Sequence, residues 1–231
     1  MNVLGIIPAR GGSKGIPRKN ITRLAGRPLL AYTADAARAS TRLTRIIIST
    51  DDDEIASVAR HHGVEVPFLR PAHLAGDETP MLDVLIDLVA SLDQRERYRP
   101  DVLVLLQPTS PFRRASHIDA AVDLLTSSGA DSVVSVVPVP HQFTPASLMR
   151  LEGERLVRWT DGPAATRRQE KPLLFARNGP AVLAVRTRIV TEGRALYGPD
   201  TRGLVMAREE SFDIDDAFDL EVAERLMTPR S

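Results

Sequence analysis

The eleven residues from Arg10 to Asn20 hold three glycines (Gly11, Gly12, Gly15), two arginines (Arg10, Arg18) and two lysines (Lys14, Lys19). Glycines let the backbone turn its N–H groups toward one point, and fixed positive charge beside them suits a polyphosphate. The lysines carry weight because the chain has only three, Lys14, Lys19 and Lys171, and uses arginine everywhere else. The stretch does not match G-x-x-x-x-G-K-[ST], since Lys14 precedes Gly15 and no hydroxyl residue follows, and it is not G-x-G-x-x-G. A strand–helix turn with a solvated basic face explains the glycines alone. It does not explain Arg10, Lys14 and Lys19 together, and these predict a nucleoside triphosphate site outside the P-loop class.

Near the other end stands Ser211-Phe212-Asp213-Ile214-Asp215-Asp216. On an extended strand, residues two apart share a face, so Asp213 and Asp215 can converge on one ion. Carboxylates with no sulfur suit Mg²⁺, held together with water and substrate phosphates. Asp216, directly before a helical pattern, reads instead as that helix's N-cap. A third group, Gln107-Pro108-Thr109-Ser110-Pro111-Phe112-Arg113-Arg114, places polar side chains on a proline-stiffened turn after a buried strand. Arg167-Arg168-Gln169 and Arg177-Asn178-Gly179 can recognise a carboxylate or phosphate, and read equally as solvated arginines and a plain turn. The five histidines (His61, His62, His73, His117, His141) show no metal-ligand spacing. No Ser-His-Asp arrangement and no G-x-S-x-G is present.

The elements that must position these groups alternate. Apolar runs predict strands at Val3–Ile7, Arg45–Ser49, Val102–Leu106, Ser132–Val137, Ala181–Val185 and Gly203–Met206. Amphipathic stretches predict helices at Pro28–Ala39, Asp53–His62, Met81–Leu92, Ala115–Thr126 and Asp216–Arg225. In the second helix Ile55, Val58 and Ala59 share a face; in the last, Phe218, Val222 and Leu226 recur at four-residue steps. The alternation predicts a three-layer α/β fold with a mainly parallel sheet and helices on both sides. Such sheets bind ligands beyond the carboxyl ends of their strands. Arg10, Thr50-Asp51 and Gln107–Ser110 all fall at such ends. Residues 138–175, rich in Pro and Arg and holding the only tryptophan, Trp159, break the rhythm. They read as an inserted excursion able to form hairpins and pair with a second subunit.

The 231 residues suit one domain, 1–231, with that elaboration. Thirty basic and thirty acidic residues cancel, so no chain-wide field favours nucleic acid or an anionic membrane. No apolar stretch reaches the roughly 18 residues of a membrane span, and the strand-like N-terminus lacks a signal-peptide pattern. Zero cysteines exclude disulfides and thiolate chemistry. A cytoplasmic location is expected.

The run Ile7-Pro8-Ala9-Arg10-Gly11-Gly12-Ser13-Lys14-Gly15-Ile16-Pro17-Arg18-Lys19-Asn20 resembles the opening motif of the acylneuraminate (CMP-sialic acid) cytidylyltransferases. The resemblance continues in order through Ser49-Thr50-Asp51, Arg70-Pro71-Ala72, Leu106–Pro111, Arg168-Gln169, Asn178-Gly179 and Asp213-Ile214-Asp215. It implies a Rossmann-like nucleotidyltransferase fold that transfers CMP from CTP to a sugar acid, with Mg²⁺, releasing pyrophosphate. It further implies that Arg10, Gly11, Gly12, Ser13 and Lys14 hold the triphosphate, and that Asn20 and Arg70 lie near the nucleoside. Asp213 and Asp215 would hold the metal, and Gln107, Arg168, Gln169 and Asn178 would face the acceptor. Arg10, Lys14, Asp213 and Asp215 would be the catalytic set. The family forms homodimers in which an inserted segment, here 138–175, reaches the partner's site. The strand after Asn178-Gly179 lacks the tyrosine common in the family, and Met81 stands where a small hydroxyl residue is frequent. The acceptor therefore stays open between a nonulosonic acid and another small acid or phosphonate; a sugar-phosphate nucleotidyltransferase is the further alternative.

Overall fold

The structure, a computed structural model, describes residues 1–13, 15–160 and 172–227. At its centre is a seven-stranded mixed sheet. β1 (Val3–Pro8) lies between β4 (Arg45–Ser49) and β5 (Val102–Leu105), parallel to both. Beyond β5 come β10 (Leu183–Arg186), β6 (Ser132–Pro138) and β11 (Thr201–Val205), and β9 (Phe175–Arg177) pairs with the far end of β6. β10 is antiparallel to both its neighbours, while β11 is parallel to β6. Thus β1, β4, β5, β6 and β11 all point one way, and β9 and β10 point the other.

Alternation along the central strands makes three layers. Leu4 and Ile6 of β1, with Leu103 and Leu105 of β5, face α3 (Met81–Glu96) and the short α5 (Thr187–Thr191). Val3 and Ile7, with Val102 and Val104, face α1 (Leu29–Arg38), α2 (Asp53–His61) and α4 (Ala115–Ser128). A strand buried on both faces must be apolar throughout, which is why these read as unbroken runs. Among the described residues no helix is long and apolar enough to cross a membrane.

Two sequence expectations are corrected. The run starting at Ala181 enters the sheet only at Leu183, against the direction of its neighbours, because an apolar run carries no mark of strand polarity. In α6 (Ala217–Met227) the stripe of Phe218, Val222 and Leu226 faces outward, with Phe218 72% and Leu226 51% exposed. Leu220, Ala223 and Met227 pack instead, against Leu24, Leu29 and Ile214. Packing against the Ile214 cluster selects this face, and three-then-four spacing places these residues on one side.

The excursion begins and ends on the central sheet, where Pro138 pairs with Phe175. After β6 it forms two single turns, His141–Phe143 and Pro145–Ser147, then the hairpin β7 (Met149–Glu152) and β8 (Arg155–Arg158). A second small hairpin, β2 (Arg23–Leu24) with β3 (Arg27–Pro28), joins the basic loop to α1.

Candidate active site

Five strands pointing one way bring their carboxyl ends to one edge of the sheet, and a cavity of about 410 Å³ opens there. Arg10, Gly12, Ser13, Asn20, Arg70, Gln107, Asp213 and Asp215 all line it. Gly11 lies beside it. Lys14, Arg168 and Gln169 fall outside the described residues.

The basic loop is braced from behind. The Ala9 N–H donates to Ser49 O, extending the β1–β4 ladder, and the Gly11 N–H donates to Asp51 Oδ1 at 3.0 Å. Asn20, 8% exposed, donates through Nδ2 to Arg10 O at 3.0 Å, tying the loop's end to its start. Arg18 reaches Asp52 and Glu54 at 2.7 and 3.0 Å. Arg10 pairs with Asp77 at 2.6 Å. Arg70 lies under the floor, donating to Ser49 Oγ and O at 3.1 and 2.7 Å. Burial lowers its pKa, and Asp51 partly offsets that.

The acidic segment is held by the residue between its carboxylates. Ile214 is fully buried among Leu24, Leu29 and Ala223, so its neighbours Asp213 and Asp215 are turned to the cavity. The Ile214 N–H donates to Thr109 O at 2.9 Å, and Ser110 Oγ donates to Asp213 Oδ1 at 3.1 Å. Burial raises the Asp213 pKa; Asp215 repels in the same sense, while bonds from Thr109 and Ser110 and the Lys19 charge oppose it. Asp216 starts the last helix instead, its Oδ1 accepting from the N–H groups of Phe218 and Asp219 at 2.9 and 3.0 Å. The Asp219 carboxylate accepts in return from Asp215 and Asp216 N–H. This reciprocal cap uses Asp216 and leaves Asp213 and Asp215 to the cavity.

The two ends of the chain touch. Lys19 Nζ donates to Ile214 O at 2.9 Å and lies 3.4 Å from Asp215 Oδ1. A Cβ at Gly15 would fall 2.4 Å from Asp215 O, so only glycine lets the loop pass this close. Two carboxylates beside a basic loop fit a hard divalent cation that takes its other oxygens from phosphate and water.

Asn178 is placed differently from Gln107. It is 7% exposed, and its Oδ1 accepts from Ser135 Oγ at 2.6 Å and from Ala181 N–H at 3.4 Å. Its side chain ties β6 to the turn before β10, while Gly179 beside it forms cavity wall. Sequence reasoning assigned no individual role to Lys19, Asp51, Ser110 or Arg113. Lys19 was marked by lysine scarcity and Ser110 by its proline-flanked turn. Nothing local marks Asp51 as a brace or Arg113 as buried.

A family model described as cytidylyltransferase matches residues 4–226. The chain is 36% identical over 228 residues to the CMP-N,N'-diacetyllegionaminic acid synthase of Legionella pneumophila, covering 98% of this chain and 97% of that protein. It is 31% identical to the N-acylneuraminate cytidylyltransferase of Escherichia coli O18:K1:H7, covering 96% of this chain and 51% of that longer protein. In fold it resembles a solved CMP:2-keto-3-deoxy-manno-octonic acid synthetase complexed with CTP, with a TM-score of 0.72 at 14% identity and 98% of each chain covered.

Proposed function

The chain belongs to the cytidylyltransferase family, and from that premise we propose that it transfers CMP from CTP to a nonulosonic acid of the sialic or legionaminic class, releasing pyrophosphate. One observation carries the chemistry: the basic loop and the Asp213–Asp215 pair, some two hundred residues apart in sequence, line one cavity in direct contact. The names of the relatives support the acceptor class.

Arg10, Ser13 and the loop N–H groups hold the triphosphate, with Lys14 beside them. The phosphates replace Asp77 as the partner of Arg10. Asn20 and Arg70 form the nucleoside side; Gln107, together with Arg168 and Gln169, faces the acceptor, and Asn178 shapes the wall behind it. An acceptor oxygen attacks the α-phosphorus in line, and the bond to the pyrophosphate oxygen breaks. Two anions must meet, so positioning and charge neutralisation supply most of the rate. Asp213 and Asp215 would hold Mg²⁺, which when bound polarises the α-phosphate and lowers the pKa of the attacking hydroxyl. Arg10 and Lys14 stabilise the departing pyrophosphate. The excursion 138–175, which exposes Leu151, Leu156 and Trp159, pairs with a second subunit and reaches its acceptor side. The enzyme works in the cytoplasm.

The test is pyrophosphate release with Mg²⁺, each of CTP, UTP, GTP and ATP, and a panel of sialic, legionaminic, pseudaminic and smaller phosphonic acids. Release with CTP and a nonulosonic acid is expected. Release only with another nucleotide, or only with a phosphonic acid, overturns the assignment.

A further inference from the structure

Arg113 is the most deeply buried charged side chain among the described residues, 3% exposed. Its hydrogen bonds all go to neutral oxygens. Nη1 donates to Gln107 O at 3.0 Å and to Ala181 O at 2.8 Å, and Nη2 donates to Thr33 Oγ1 at 2.5 Å. Nε finds no partner among the described residues. A buried cation with no carboxylate hydrogen-bonded to it among the described residues costs several kcal/mol, and an apolar side chain of similar size would fill the space more cheaply. Burial drives its pKa down to about 9, and the charge of Asp213 partly offsets that. A group this costly in the core needs a reason.

The reason lies in what those oxygens belong to. Gln107 is cavity wall at the end of β5. Ala181 closes the turn whose Gly179 is also cavity wall, and Thr33 belongs to the rigid helix α1. One guanidinium therefore clamps two separate wall segments onto a helix. The same 107–113 turn carries the acidic segment on its other side. Thr109 O accepts from Ile214 N–H, Ser110 Oγ donates to Asp213, and Phe112 meets Phe212 edge to face at 6.4 Å. Arg113 does not line the cavity. The basic loop has braces of its own through Asp51, Asp52 and Asn20, and it meets the clamped turn only by way of the acidic segment, through Lys19 and Ile214.

We propose that Arg113 is a positioning residue for the acceptor, fixing Gln107 and the Gly179 turn at the spacing that acceptor binding requires while making no direct contact with the triphosphate loop. This rests on the cytidylyltransfer reading above, and it places the direct effect of Arg113 on the acceptor walls, with the triphosphate loop reached only through the acidic segment. Planar guanidinium geometry is needed because the three oxygens lie around one group, which a lysine ammonium on a flexible stem would not hold together.

The experiment compares wild type, Arg113→Met and Thr33→Val by steady-state kinetics with CTP and the accepted acid. Thr33→Val keeps shape and removes the Arg113 contact together with the longer bond from Thr33 Oγ1 to Gln107 O at 3.4 Å. Arg113→Met is expected to raise the acceptor KM about tenfold or more, with the CTP KM within about threefold; Thr33→Val should move the acceptor KM the same way by about threefold. Equal changes in both substrates, or an unchanged acceptor KM in both variants, overturns the proposal. If Arg113→Met fails to fold, Thr33→Val decides alone. If wild type turns over no acid with CTP, the cytidylyltransfer reading fails. Amide hydrogen exchange then decides the clamp itself: faster exchange in Thr33→Val across 106–111 and 178–183, unchanged across 5–13, supports it, and uniform or unchanged exchange refutes it.

Discussion

The cavity edge and the excursion are built on opposite principles. At the edge the described chemistry-bearing side chains hang from something buried: Asp213 and Asp215 from Ile214, Gln107 from the end of β5, Arg10 from the last residues of β1. In the hairpin β7–β8, Leu151 and Leu156 stand 68% and 66% exposed, and no residue of the hairpin lines the cavity. A rigid edge fixes the angle of attack on a phosphate, which is the same for every acceptor. An exposed arm can change between relatives without disturbing that geometry. The donor chemistry thus sits where the fold is least free to vary.

The sharpest way to break this contrast is Asp215→Ala. Asp215 is exposed, so its loss should leave folding intact, and turnover should fall by roughly 10²-fold or more, the scale of removing one preorganised electrostatic contact. Pyrophosphate release in the variant at near wild-type rate would detach the acidic pair from the chemistry altogether.

Asp213→Asn separates function from stability at the same edge. Burial raises the Asp213 pKa, so the folded chain binds that proton more tightly than the unfolded chain does. The stabilising contribution of the protonated form is full below the unfolded value of about 3.9 and lost as pH rises through the higher folded value. At neutral pH the ionised group is therefore a cost, and the neutral amide removes it. Without metal, Asp213→Asn should melt a few degrees above wild type at pH 7, on a scale of about 2–4 °C per kcal/mol. That gain should shrink as pH falls toward about 4, while activity is lost. A lower melting temperature at pH 7 would mean that the Ser110 bond outweighs burial.

Much of this edge was legible in the amino-acid order. Unbroken apolar runs ending in Arg10, Thr50-Asp51 and Gln107 marked three carboxyl ends, and a strand buried on both faces has few other ways to read. Asp216 could be told from Asp213 and Asp215 because a helix start requires one cap. What stayed hidden depends on contacts distant in sequence. That Gly15 passes against Asp215 O, that Asn178 turns inward to Ser135, and that Arg113 is buried all follow from how the β10 turn and α6 dock. The outward stripe of α6 misled for a related reason. Phe218, Val222 and Leu226 are as apolar as Leu220, Ala223 and Met227, and only the Ile214 cluster chooses between the two faces.

The gentlest test touches the excursion. Replacing Leu151 and Leu156 together by serine removes apolar surface that is already exposed in the single chain, where substitutions away from packed features stay within about 0.5 kcal/mol. CTP affinity measured by calorimetry should then stay within about twofold of wild type, since the two leucines contact neither the basic loop nor the acidic pair. If the proposed dimer forms through this hairpin, sedimentation should shift from dimer for wild type toward monomer for the variant, because a pair of large apolar side chains on an exposed hairpin gains most from a partner's surface. A tenfold loss of CTP affinity would place the hairpin inside the nucleotide site and dissolve the division between edge and arm. An unchanged mass with unchanged affinity would leave that division standing and take the proposed dimer contact away from this hairpin.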